Sequence, residues 1–174
     1  MSDYGKITEP ATIRFERILP GPVELVWEYL TDSEKRGRWL ASGAMEPRVG
    51  SSFSLSYDNE KLSPDRVPPS EKYKGRGRAT SQHRVMRFEP PRFLSITWGD
   101  EDNPSEVSFE LTPEGEQTRL ILTHRRLPRT AMLNVGPGWH THLDILIDIM
   151  SGRTPSAFWT RFGKLADYYE KMVP

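Results

Sequence analysis

Hydrophobic and polar positions change their period several times along the chain, and the changes mark out its elements. From Thr12 to Leu19, Ile13 and Phe15 alternate with Arg14 and Glu16, the pattern of a strand with one buried face and the expected first or edge strand of a sheet. Pro20-Gly21-Pro22 stops it, and Val23, Val26, Trp27 and Leu30 then recur at helical spacing. Asp32 is a cap for a second short helix that Gly37 ends, ahead of the apolar pair Trp39-Leu40. From Met45 the helical period is lost, and Phe53, Leu55 and Tyr57 alternate with Ser52, Ser54 and Ser56 as a strand.

The stretch from Asp58 to Tyr73 is charged and rich in proline, with few apolar residues, and is expected to be a mobile loop. Strand-like runs follow over Lys74 to Phe88, Phe93 to Trp98, Glu106 to Leu111 and Thr118 to Arg126, separated by turn signals such as Glu89-Pro90-Pro91 and Pro113-Glu114-Gly115. This is the pattern of an antiparallel meander. A helical wheel centred on Leu143 gathers Trp139, Leu146, Ile147 and Met150 on one face, and Gly152 ends that stretch. Thr154-Pro155 is expected to cap and begin one more helix, with Phe158, Phe162, Leu165 and Tyr169 on its apolar face. Without internal repeat or long linker, residues 1–174 are expected to form one domain, with 1–11 a flexible N-terminal tail.

Composition narrows the function. Lys plus Arg and Asp plus Glu number 24 each, so no excess of cations marks a nucleic-acid surface. The absence of cysteine removes disulfides, thiolate metal sites and a cysteine nucleophile. Met1 to Arg17 lacks the apolar core of a secretion signal, and no stretch is apolar for long enough to cross a bilayer. The expected address is the cytoplasm, without membrane insertion.

Local sequence words add a resemblance. The segment Leu19-Pro-Gly-Pro-Val-Glu-Leu-Val-Trp-Glu-Tyr-Leu-Thr-Asp32, then Arg38-Trp39-Leu40, resembles the opening of proteins like the activator of heat-shock protein 90 ATPase, within the START-like (SRPBCC) superfamily. Val49-Gly50-Ser51-Ser52-Phe53, Phe88-Glu89-Pro90-Pro91-Arg92 through Trp98, Thr118 to His124 and Gly138-Trp139 follow in the order of that family's glycine turn, hairpin, last strand and terminal helix. The resemblance implies an α+β helix-grip fold: a curved antiparallel sheet packed on a long C-terminal helix, with two short helices after the first strand. Such folds carry lipid carriers, cyclases, hormone receptors and chaperone activators, so the fold does not select a function. The long loop from Asp58 and the extra helix after Ser151 depart from the family pattern, and the chain has no room for the separate N-terminal domain that accompanies this module in the chaperone activator.

A helix-grip fold faces its last strands with its long helix, which makes Trp98 and Trp139 the expected walls of a cavity, with Phe53, Tyr57, Leu143 and Ile147 around them. His124 and His140 complete the expected cavity set, one or the other as the polar anchor of a ligand; His124, on the inward face of the last strand, is otherwise a general base or a hydrogen-bonded core histidine. His140 has Asp144 one helical turn on, while His142 lies on the opposite flank, so the two histidines do not converge on a metal. Arg76 and Arg78 either hold a ligand anion or are solvated charges. Ile145 and Ile149, at the back of the helix, need a cover that the extra helix or the partner in a homodimer provides. The expectation is a binding module for a small apolar or amphipathic molecule, without cofactor or metal and without an assigned catalytic residue. An acid–base enzyme of cyclase type and a chaperone-associated interaction protein are the alternatives.

Overall fold

The computed structural model of the chain describes residues 3–99 and 101–174. Seven strands, β1 (Lys6–Glu9), β2 (Thr12–Pro20), β3 (Ser52–Asp58), β4 (Arg78–Glu89), β5 (Phe93–Trp98), β6 (Ser105–Glu114) and β7 (Gln117–Arg125), form one antiparallel sheet in the order β1-β2-β7-β6-β5-β4-β3. The helices are α1 (Val23–Thr31), α2 (Ser33–Gly37), α3 (Arg129–Met150) and α4 (Phe158–Met172). This is the helix-grip α+β arrangement. Period-two alternation determines which side chains face α3: Phe53 and Leu55 of β3, Leu94 and Ile96 of β5, Val107, Phe109 and Leu111 of β6, and Leu120 and Leu122 of β7 are all buried in one core. Asp32 accepts a hydrogen bond from the Lys35 N–H at 2.9 Å and caps α2 as its sequence requires.

Four expectations are corrected. Residues 6–9, taken as part of a flexible tail, form β1 and pair with β2, so β2 is not the sheet edge. Ile7 packs against the core, and the backbone of β2 offers the ladder that draws the segment in. The loop from Asp58 to Tyr73 contains two 3-10 turns whose Leu62 and Tyr73 are buried. Its few apolar residues suffice because α4 supplies the opposing surface: the Tyr73 ring lies 5.8 Å from Trp159, nearly parallel, and 5.0 Å edge-on from Phe162.

Helix α3 begins at Arg129, directly after Pro128, well before the Gly138 at which it was expected to open. Pro137 reads as a boundary in the sequence but lies inside the helix, although it has no N–H to donate to the Leu133 carbonyl and its ring crowds that carbonyl. Thr141 donates to the Pro137 carbonyl at 2.7 Å. Helix α4 starts at Phe158 rather than after Thr154, since the Pro155 carbonyl is held outside the helix by Ser63, whose hydroxyl donates to it at 2.7 Å.

Helix α4 covers the back of α3. Ile145 is buried and Ile149 is packed against the core, so this chain itself provides the cover that the sequence left open to a second subunit. The two helices approach closely at Gly136, where a Cβ would stand 3.0 Å from the Tyr169 ring. Among the described residues no helix is long and apolar enough to cross a membrane.

Candidate ligand pocket between the sheet and α3

The inward sets of β3 and β5 end at Tyr57 and Trp98, and beyond them the core is not filled. A pocket of about 180 Å³ opens there, lined by Leu40, Tyr57, Trp98, Asn134, Val135, Gly138, Trp139 and His142. Val135, Gly138, Trp139 and His142 follow the i, i+3, i+4, i+7 spacing of one helix face. Trp98 and Trp139 stand 5.0 Å apart between ring centroids, and Tyr57 meets Trp98 edge-on at 6.3 Å. A Cβ placed on Gly138 meets nothing within 4 Å, so the helix leaves the pocket clear at that point.

The polar groups in this wall are few. The buried Tyr57 hydroxyl makes no hydrogen bond, and burial pushes its phenol above the ordinary range. Its neighbour Ser81, which opposes that shift, gives its own proton elsewhere while its oxygen stays free to accept: His83 must use its Nδ1 proton for the Thr97 carbonyl at 2.8 Å, so its Nε2 accepts from Ser81 at 2.6 Å. His142 similarly commits its Nδ1 proton to the Trp39 carbonyl at 2.7 Å. Its Nε2 is then an acceptor, and burial pushes its pKa down to about 4.

His124 lies behind the tryptophans with both ring nitrogens occupied. Trp139 Nε1 donates to its Nδ1 at 3.0 Å, which leaves Nε2 to donate to Ser105 Oγ at 2.7 Å; Ser105 in turn donates to the Trp98 carbonyl at 2.9 Å. Burial pushes this imidazole down to about 3. It fixes the orientation of Trp139 and has no lone pair left with which to take a proton from a substrate.

His140 is brought to a different place. On the β2 side of α3 its Nδ1 meets the Tyr169 hydroxyl at 2.9 Å, and that hydroxyl accepts the Gly5 N–H at 2.7 Å. Its Nε2 faces Asp144 at 3.6 Å, and burial beside Arg17 and Arg161 pushes its pKa down to about 3. Arg17, between Phe15 and Leu19 on the inward face of β2, is 2% exposed. It donates to the Glu16 carbonyl at 3.0 Å, while its Nε and Nη2 lack hydrogen-bond partners and Asp144 lies 3.8 Å away. Arg161 from α4 reaches Asp144 at 2.9 Å and completes this buried charge cluster.

Of the eight residues expected around a cavity, the structure thus gathers Tyr57, Trp98 and Trp139 at the pocket, with His124 directly behind it. Phe53 instead joins Trp39, Leu55, Ile96 and Phe109 around a void of only about 10 Å³, Leu143 is wholly buried, and Ile147 packs against the core farther along α3. Arg76 precedes β4, and Arg78 is exposed beside Asp58 at 3.8 Å. Leu40, Asn134, Val135, Gly138 and His142 were not assigned to the cavity from the sequence. Extending the helical wheel N-terminally through Pro137 brings Asn134 and Val135 onto the face of Gly138 and His142; Leu40 carries no such signal. Among the described residues no group of three or more His, Asp or Glu converges to hold a metal.

Comparison with known proteins agrees with this architecture. The protein encoded by gene BPP1335 of Bordetella parapertussis is 42% identical, with a TM-score of 0.83 over 98% of this chain and 90% of that one. CalU16 of Micromonospora echinospora is 27% identical, with a TM-score of 0.69 over 98% of this chain and 94% of its own. A conserved protein of unknown function from Enterococcus faecalis, EF2215, shares the fold at 18% identity and a TM-score of 0.68, over 98% of this chain and 89% of that one. A search of curated proteins finds no match. The pattern that defines the family matches residues 20–151, and the chain belongs to the Activator of Hsp90 ATPase homolog 1-like proteins.

Proposed function

We propose that the chain binds a small, largely apolar molecule in the pocket between Trp98 and Trp139. The observation that carries this reading is an aromatic-walled space of about 180 Å³ with an unpaired buried hydroxyl, that of Tyr57, in its wall. A cavity of roughly 150 Å³ accepts a benzene ring, so the pocket suits a single ring or a moiety of that size. Tyr57 Oη and His142 Nε2 supply the orienting contacts. An unpaired buried hydroxyl costs free energy in the free protein, and a ligand that pairs it recovers that cost on binding.

Binding is better supported than acid–base turnover because His124 spends both ring nitrogens on structural partners and His140 lies outside the pocket, its Nδ1 on the Tyr169 hydroxyl. A docking role for the 58–73 loop has less support, since its Leu62 and Tyr73 are consumed against the chain's own helix.

Two substitutions at the lining test the pocket. Gly138→Leu, whose Cβ has open space before it, is expected to fill the pocket, abolish binding of single-ring compounds in calorimetric titration, and leave the melting temperature unchanged or higher, since leucine favours helix over glycine by about 1 kcal/mol. Undiminished binding to Gly138→Leu excludes this pocket. Tyr57→Phe is expected to raise the stability of the free protein by about 1 kcal/mol in urea unfolding, as it removes the unpaired hydroxyl, and to weaken only those ligands that carry a hydrogen-bonding group. A loss of 2 kcal/mol or more on the order of a broken buried bond would mean that the hydroxyl is paired after all.

A further inference from the structure

Asn134 lines the apolar pocket and also a second, more polar groove of about 260 Å³, where Lys72, Tyr73, Arg76 and Glu170 contribute. The two spaces adjoin at this side chain. Arg76 Nη1 donates to Asn134 Oδ1 at 3.0 Å, so a cation stands at the boundary on a neutral partner. Its guanidinium lies 5.7 Å from the Tyr73 ring centroid, and the Lys72 ammonium lies 5.5 Å from the same ring. Neither cation is paired with a carboxylate among the described residues.

The backbone holds Arg76 in place. Its N–H donates to the Tyr73 carbonyl at 3.0 Å, and Tyr73 is itself packed between Trp159 and Phe162. Gly77 follows at φ +90°, where a Cβ would stand 2.7 Å from Trp159. A surface arginine without a role has no need of such anchoring, and the planar guanidinium is suited to the paired oxygens of a carboxylate. With Lys72 and Arg76 set against Glu170, the groove has one net positive charge, which matches a monoanion better than a phosphate dianion.

We infer that the ligand of the pocket is a monocarboxylic acid with a single-ring or comparably sized apolar body, its carboxylate held at the groove by Arg76 with Lys72 alongside. This rests on the pocket reading above and names the chemical class of what the pocket takes.

Calorimetric titration with phenylacetate, phenylpropionate and phenylbutyrate, each against its neutral amide, separates the two claims. The best-fitting acid is expected to bind about tenfold more tightly than its amide, and added salt should shrink the gap. Arg76→Gln should bring the acid down to the affinity of the amide while leaving the amide unchanged. Arg76→Lys should recover only part of the preference, because the ammonium keeps the charge and loses the planar fork. Equal affinity of acid and amide for the wild-type chain overturns the inference and leaves the pocket standing. So does an Arg76→Gln variant that weakens both alike, since the arginine then serves the shape of the site and not an anion. Failure of both acid and amide to bind overturns the inference together with the pocket.

Discussion

Between pH 7 and pH 5 the folding stability is expected to fall by about 6 kcal/mol. His124, His140 and His142 are 0%, 5% and 6% exposed, and burial holds their folded pKa values at about 3, 3 and 4. In the unfolded chain each titrates near 6.5. A histidine lowered in this way is neutral in both states at pH 7 and contributes no difference there. As the pH falls through 6.5 the unfolded chain takes up protons that the folded chain refuses, and each histidine then favours unfolding by about 2 kcal/mol at pH 5.

His83 is shifted in the same direction and adds to the loss. Asp144, whose pKa burial raises, acts in the opposite sense, but it is one group against four histidines. Since domains of this size have a total stability of about 5 to 15 kcal/mol, urea midpoints should collapse across this interval. Replacing His142 by Phe should flatten the slope by about one proton. A midpoint that stays level from pH 7 to pH 5 would show that these imidazoles accept protons while folded.

Asp144→Ala should cost about 3 to 5 kcal/mol. Its carboxylate faces Arg17 at 3.8 Å, Arg161 at 2.9 Å and His140 at 3.6 Å, and Arg17 has lost nearly all contact with water. Without the carboxylate a buried guanidinium remains, with only the Glu16 carbonyl to accept from it. Arg36 provides the internal contrast: equally buried, it donates to the carbonyls of Ala41, Leu30, Thr31 and Gly43 and needs no carboxylate. Arg17→Met should therefore rescue Asp144→Ala, since an apolar side chain of similar length removes the stranded charge. A loss below about 1 kcal/mol for Asp144→Ala, or no rescue, would show that water or another group already serves Arg17.

The strands were legible because half-buried sheets impose period two on the chain: Phe53, Leu55 and Tyr57 could be assigned to one face without any knowledge of their neighbours. The same rule places Arg17 inward with Ile13, Phe15 and Leu19, yet its charge argues for the surface; the partner that reconciles them, Asp144, lies far along the chain. The N-terminal third of α3 was hidden by Pro137-Gly138, which carries every local mark of a helix start. With that third went the pocket residues Asn134 and Val135, and the phase that turns His142 toward Trp98 and Trp139. The loop after Asp58 looked unable to order itself because its packing surface, Trp159 and Phe162, is contributed by a helix remote in sequence. Trp98 and Trp139 were found because the resemblance supplied the facing of strand and helix, which composition and spacing alone do not.

The most direct test of the pocket follows the five tryptophan indole N–H resonances during titration with a single-ring compound such as phenylpropionate. The indoles of Trp98 and Trp139 should shift together and saturate, while Trp27, packed edge-on against Phe88 and away from the pocket lining, stays in place. The Gly138→Leu chain should show no such movement. Saturating shifts at Trp27 with Trp98 and Trp139 unmoved, or the same Trp98 and Trp139 shifts in Gly138→Leu, would contradict a ligand site between the sheet and α3.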